Sequence, residues 1–129
     1  EETTLETLKA EADILSLHIP LTEETREMIN AEFIEACKPG FILINTSRGK
    51  NVNLSDVCRA LQSGQIGGAC LDVFPTEPPG HSQGDAQRAF EAICGMDNVV
   101  LSPHIAGWTV ESKRKIAEVL LEKIGALRG

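Results

Sequence analysis

Short apolar runs alternate with amphipathic stretches along the 129 residues. Residues 12–19 (ADILSLHI), 41–45 (FILIN), 67–73 (GGACLDV) and 98–102 (NVVLS) are each too short for a helix. Each is bounded by Pro, Gly or polar residues, which predicts strands. Their near-continuous apolarity predicts a parallel sheet buried on both faces by helices.

The stretches between them carry helix signals. Thr3 to Glu6 has the Thr-x-x-Glu form of a capping box and predicts a short helix with Leu5 and Leu8 facing inward. Residues 23–37 read as helical with a break near Asn30, ended by Lys38-Pro39-Gly40. Asn53 is an N-cap for 54–62, with Asp56 near the positive helix end and Ser63-Gly64 as the stop. Residues 85–93 can form a short helix after the Pro-rich start of the 75–95 stretch. Thr109 caps a last helix in which Ile116, Leu120, Ile124 and Leu127 recur along one side. The order α-β-α-β-α-β-loop-β-α predicts an α/β layered fold with right-handed crossovers.

Charge and cysteine usage narrow the function classes. Twelve Lys and Arg against nineteen Asp and Glu give a net charge of −7, which argues against a nucleic-acid partner. No run approaches the roughly 18 apolar residues of a membrane span, and EETTLE is unlike a signal peptide, so a soluble, cytoplasmic chain is expected. Cys37, Cys58, Cys70 and Cys94 lack C-x-x-C spacing and are expected to be buried or partly buried thiols. No metal is expected: His18, Asp72 and His104 fall at strand ends but show no ligand spacing. Ser47 is not in a G-x-S-x-G elbow, which disfavours a hydrolase.

In an open parallel sheet, ligands bind beyond the carboxyl ends of the strands. That position selects His18-Ile19-Pro20, the Asn45-Thr46-Ser47-Arg48-Gly49 turn, Asp72 with the following PTEP, and Ser102 to Gly107. Arg48 offers a planar fork for a carboxylate or phosphate, although a loop arginine can as well pair with a local acid. His104 can exchange a proton near neutral pH, and Glu77 could hydrogen-bond an imidazole and raise its pKa. Singly, each is also compatible with a solvated loop residue. Together they form an anion clamp, a proton donor and the group that tunes the donor.

At these residues the chain resembles the D-isomer-specific 2-hydroxyacid dehydrogenases. The stretches ADILSLHIPLTEET, KPGFILINTSRG, GGACLDVFPTEPP and NVVLSPHIAGWT follow in family order. The resemblance implies a Rossmann-like fold and hydride transfer between NAD, or NADP, and a small anionic 2-oxo or 2-hydroxy acid. It implies that Arg48 binds the substrate carboxylate and carbonyl, that His104 is the proton donor, and that Glu77 is its acid partner. It implies cofactor-lining roles for His18, Ile19, Pro20, Thr46, Ala106 and Gly107, with Asp72 near the nicotinamide carboxamide.

The G-x-G-x-x-G turn, the acid closing the next strand and a separate substrate domain are missing, so residues 1–129 are expected to be only the nicotinamide-side half of a dinucleotide-binding domain. As a fragment, the chain would leave Ile14, Leu15 and Leu17 at a bare edge, inviting self-association, and a homo-oligomer is expected. Trp108 stands where small residues are usual. The alternative reading is an NADH-sensing regulatory or protein-binding module of the same fold.

Overall fold

Period-two alternation sets the two faces of the sheet, with Leu15 and Leu17 turned one way and Ile14 and Ser16 the other. The structure, a computed structural model, describes residues 2–76 and 83–127. Its elements run α1 (Leu5–Glu11), β1 (Ile14–Leu17), α2 (Ala31–Glu35), β2 (Phe41–Asn45), α3 (Leu54–Ser63), β3 (Ile66–Leu71), α4 (Asp85–Cys94), β4 (Val99–Leu101) and α5 (Val110–Ala126). The four strands are parallel and lie in sequence order, so neighbours in sequence pair directly. Leu15 pairs with Leu43, Leu43 with Ala69, and Ala69 with Val99.

Caps explain where the helices begin and end. Asn53 Oδ1 accepts from the Asp56 N–H, and Gly64, at φ 80°, ends α3 in the left-handed region that glycine tolerates. The first helix is capped by Thr4, not Thr3: Thr4 Oγ1 accepts from the Thr7 N–H, and Leu5 is exposed while Leu8 packs on the core. Residues 23–37 are not one helix. Ile29 forms a parallel bridge with Val52, which pulls the segment before it into turns, and only Ala31–Glu35 is helical, capped by Asn30.

The core lies on one face. Phe33 and Ile34 of α2, Val57 and Leu61 of α3, and Ala89 and Ile93 of α4 pack with Leu15, Leu17, Leu43 and Leu71. Each large side chain so buried contributes about 1.5–3 kcal/mol. The expected burial of both faces does not hold. On the other face Ile14 and Val100 are 60% and 65% exposed, and Ile42, Ile44 and Cys70 are half-buried. β1 is an edge strand of the sheet, as the bare-edge expectation has it, but of its three apolar side chains only Ile14 is exposed, because Leu15 and Leu17 point into the core. The apolar stripe of α5 is uncovered too, with no buried residue on the helix. Among the thiols, Cys37 and Cys58 are buried and Cys70 half-buried, but Cys94 is exposed. Among the described residues no helix is long and apolar enough to cross a membrane.

Candidate active site

Because the strands are parallel, their carboxyl ends share one edge of the sheet, and every described site residue follows one of them. His18, Ile19 and Pro20 follow β1, Thr46 and Arg48 follow β2, Asp72 follows β3, and His104, Ala106 and Gly107 follow β4. Glu77 lies outside the described residues.

The Arg48 turn is shaped by a buried amide. The parity that points Phe41 and Leu43 into the core also points Asn45 inward, where it is fully buried. Its Nδ2 donates to the Arg48 carbonyl at 3.1 Å and its Oδ1 accepts from the Ser47 N–H at 3.1 Å. Thr46 and Arg48 are thereby turned outward and exposed. The Ser47 hydroxyl donates to the Ile19 carbonyl, and Asn51 Nδ2 donates to the Pro20 and Thr25 carbonyls, so the loop after β1 is tied to the loop after β2. Arg48 Nη1 donates to the Ser47 carbonyl at 2.7 Å, which anchors one end of the guanidinium over its own turn.

Gly49 brings this turn against the next one. A Cβ at Gly49 would meet the Phe74 carbonyl carbon and oxygen at 1.9 Å, so only glycine allows the two backbones to touch. Phe74 lies two residues beyond Asp72, and the Asp72 N–H donates to the Asn45 carbonyl at 3.0 Å.

The β3 and β4 ends are joined by Asp72, which is 3% exposed. Its Oδ1 accepts from the Ser102 hydroxyl at 2.5 Å and the Ile105 N–H at 2.9 Å, and its Oδ2 accepts from the Ala106 N–H at 3.0 Å. Burial pushes this carboxyl up. The hydrogen bonds from Ser102, Ala106 and Ile105, with the nearby His104, outweigh burial and hold it below the ordinary value of 3.8. His104 is exposed, has φ 57°, and donates its N–H to the Asp72 carbonyl at 2.8 Å. Trp108 is exposed beyond the turn, with the Lys113 ammonium 5.6 Å from its ring centre.

Arg48 and His104 therefore stand on turns joined through one short segment, Asp72 to Phe74. Asn45, Ser47, Gly49 and Ser102, which the strand-end position selects without giving them a role, hold these turns in place. Asn45 does have a sequence signal, a polar residue on the inward parity of an apolar strand. A groove between α2 and α3, lined by Ile34, Asp56 and Arg59 among others, lies on the helical face. Its Asp56 is already engaged by the Ala31 N–H and Arg59.

Fold and site together define a nucleotide-binding type of α/β edge, with a guanidinium and an imidazole at the strand ends. The family described as "D-isomer specific 2-hydroxyacid dehydrogenase, NAD binding domain" matches residues 1–106, and the chain belongs to it. The chain is 40% identical over 124 residues to a hydroxypyruvate reductase of Thermotoga maritima, covering 96% of this chain and 39% of that protein. It is 42% identical over 132 residues to a glyoxylate reductase of Thermofilum pendens, covering 100% of this chain and 36% of that protein. The structure of Aquifex aeolicus D-lactate dehydrogenase complexed with NAD and lactic acid superposes with a TM-score of 0.77 at 37% identity. That match covers 97% of this chain and 40% of that one. The chain thus spans well under half the length of these relatives.

Proposed function

We propose that the polypeptide carrying this chain is an NAD-dependent D-2-hydroxyacid dehydrogenase, a cytoplasmic homo-oligomer acting on a small anionic 2-oxo or 2-hydroxy acid. This chain supplies the nicotinamide-side half of its dinucleotide-binding domain, a reading supported by the 39% and 36% shares of its relatives' lengths. The observation that carries the activity is the shared placement of Arg48 and His104 at one sheet edge, on turns that abut through Gly49 and Phe74 and through Asp72 and His104.

The rim fits a nicotinamide, since exposed Pro20, Thr46, Ala106 and Gly107 give an uncharged border around the two cationic or titratable side chains. His18 and Ile19 extend that border, and Asp72 is on the carboxamide side. NADH bound at this rim would supply the hydride for the carbonyl carbon of a 2-oxo acid. Arg48 grips the substrate carboxylate through its planar fork and polarises the carbonyl oxygen. Protonated His104 gives its proton to that oxygen as the alcohol forms, and takes it back in the oxidative direction. Glu77 of FPTEP takes the part of the acid partner of His104, on the resemblance of that stretch to the family's.

The test is NADH consumption by the purified polypeptide on addition of glyoxylate, hydroxypyruvate or pyruvate. Consumption with at least one of them is expected. Absence of turnover with every 2-oxo acid tried would contradict the reading.

A further inference from the structure

The turn that carries His104 has a complete account of its backbone donors, and nearly all of them end on one residue. The Ser102 N–H donates to the Leu71 carbonyl at 3.1 Å, and Pro103 has no N–H to place. The next three N–H groups all go to Asp72: His104 to its carbonyl, Ile105 to Oδ1 and Ala106 to Oδ2. The Ser102 hydroxyl adds a fourth donor, again on Oδ1.

His104 sits at φ 57°, a region that non-glycine residues enter at a cost and keep only when their surroundings over-determine it. Three side-chain bonds and one main-chain bond from a single buried residue are such surroundings. Three donors also converge on one side chain, and a carboxylate is the group that accepts from all of them. An amide of the same shape would turn an NH2 toward one of the donors.

We infer that Asp72 is a positioning residue for His104: its carboxylate, with Ser102, locks the 102–106 turn and so fixes the direction in which the imidazole leaves the backbone. This rests on the reading of His104 as the proton donor, but reverses the emphasis for Asp72, which is nearly sealed from solvent and already occupied by the protein's own donors. Its effect is on proton transfer geometry more than on cofactor affinity.

The test uses Asp72→Asn and Ser102→Ala, with amide hydrogen exchange measured on the folded chain and kinetics on the polypeptide that carries it. In Asp72→Asn the amides of His104, Ile105 and Ala106 should exchange about tenfold faster or more. The variant's kcat should fall about 100-fold, a larger factor than the rise in the NADH KM. Ser102→Ala, which leaves the carboxylate, should show the same pattern with a smaller loss, falling more on Ile105, which shares Oδ1, than on Ala106. Unchanged amide protection in Asp72→Asn would overturn the inference. So would a raised NADH KM with kcat intact, which would assign Asp72 to the cofactor instead. Should Asp72→Asn fail to fold, Ser102→Ala decides, and full protection with full kcat there is the contradicting result. Lack of wild-type turnover would sink the dehydrogenase reading while the exchange measurement still decides whether Asp72 holds the turn.

Discussion

Gly49 and Phe74 touch backbone to backbone: a methyl group on Gly49 would sit 1.9 Å from the Phe74 carbonyl carbon. This contact sets the spacing between the turn that presents Arg48 and the segment that leads from Asp72. Neither backbone can yield without moving a strand end. Gly49→Ala is expected to destabilise the chain by about 3 kcal/mol or more, at or beyond the upper end for overpacking. The urea midpoint checks this, and an unchanged midpoint would show that the two turns are not held in register by that contact.

The Asp72 carboxyl gives a stability term with a defined pH direction. Its value in the folded chain lies below the ordinary 3.8, so as pH falls the unfolded chain takes up the proton first. The stabilisation is therefore fully present above the ordinary carboxylate range and is lost as pH falls through the folded value. Urea midpoints followed from about pH 6 down to about pH 2 should drop less steeply in Asp72→Asn than in the parent. Parallel curves would remove Asp72 from the acid limb.

Arg48 should not be replaceable by lysine. A carboxylate bound in two-pronged fashion needs the planar fork, which an ammonium lacks. In the polypeptide that carries this chain, Arg48→Lys and Arg48→Ala should both raise the KM for the 2-oxo acid and lower kcat, with Arg48→Lys recovering little. Steady-state kinetics with unchanged values in both variants would contradict the assignment.

Thiol chemistry reads the two faces of the helical layer. Burial pushes the Cys37 and Cys58 thiols up, with Lys9 and Arg59 only partly countering it, while Cys94 at the end of α4 is exposed. A thiol reagent at neutral pH should label Cys94 first and reach Cys37 and Cys58 only on unfolding. Mass mapping of labelled peptides checks the order, and early labelling of Cys37 would show that the α2 core opens locally.

Much of this architecture was legible in the chain because local signals agree with the fold. FILIN, the Asn53 cap and the Gly64 stop each mean in isolation what they mean in the structure. The strand-end rule gathered Arg48, Asp72 and His104 to one edge without any knowledge of distances. What stayed hidden depends on non-local pairing. The bridge between Ile29 and Val52 dissolves most of a helix that periodicity favoured, and no window around residue 29 contains residue 52. The open sheet face and the bare α5 stripe were hidden for the same reason, since apolar periodicity predicts a covered surface but not what covers it. The bonds of Asn45 and Ser102 also lie beyond composition and spacing, because they join side chains to backbone across turns.

The central claim, that His104 is the proton donor at this edge, is tested most directly by His104→Gln in the polypeptide that carries this chain. NADH-linked reduction of a 2-oxo acid is measured alongside NADH affinity by fluorescence. Loss of one acid-base group should lower kcat by about 100-fold to 10,000-fold, with NADH affinity within about twofold of the parent. Turnover that survives the substitution undiminished would contradict the account.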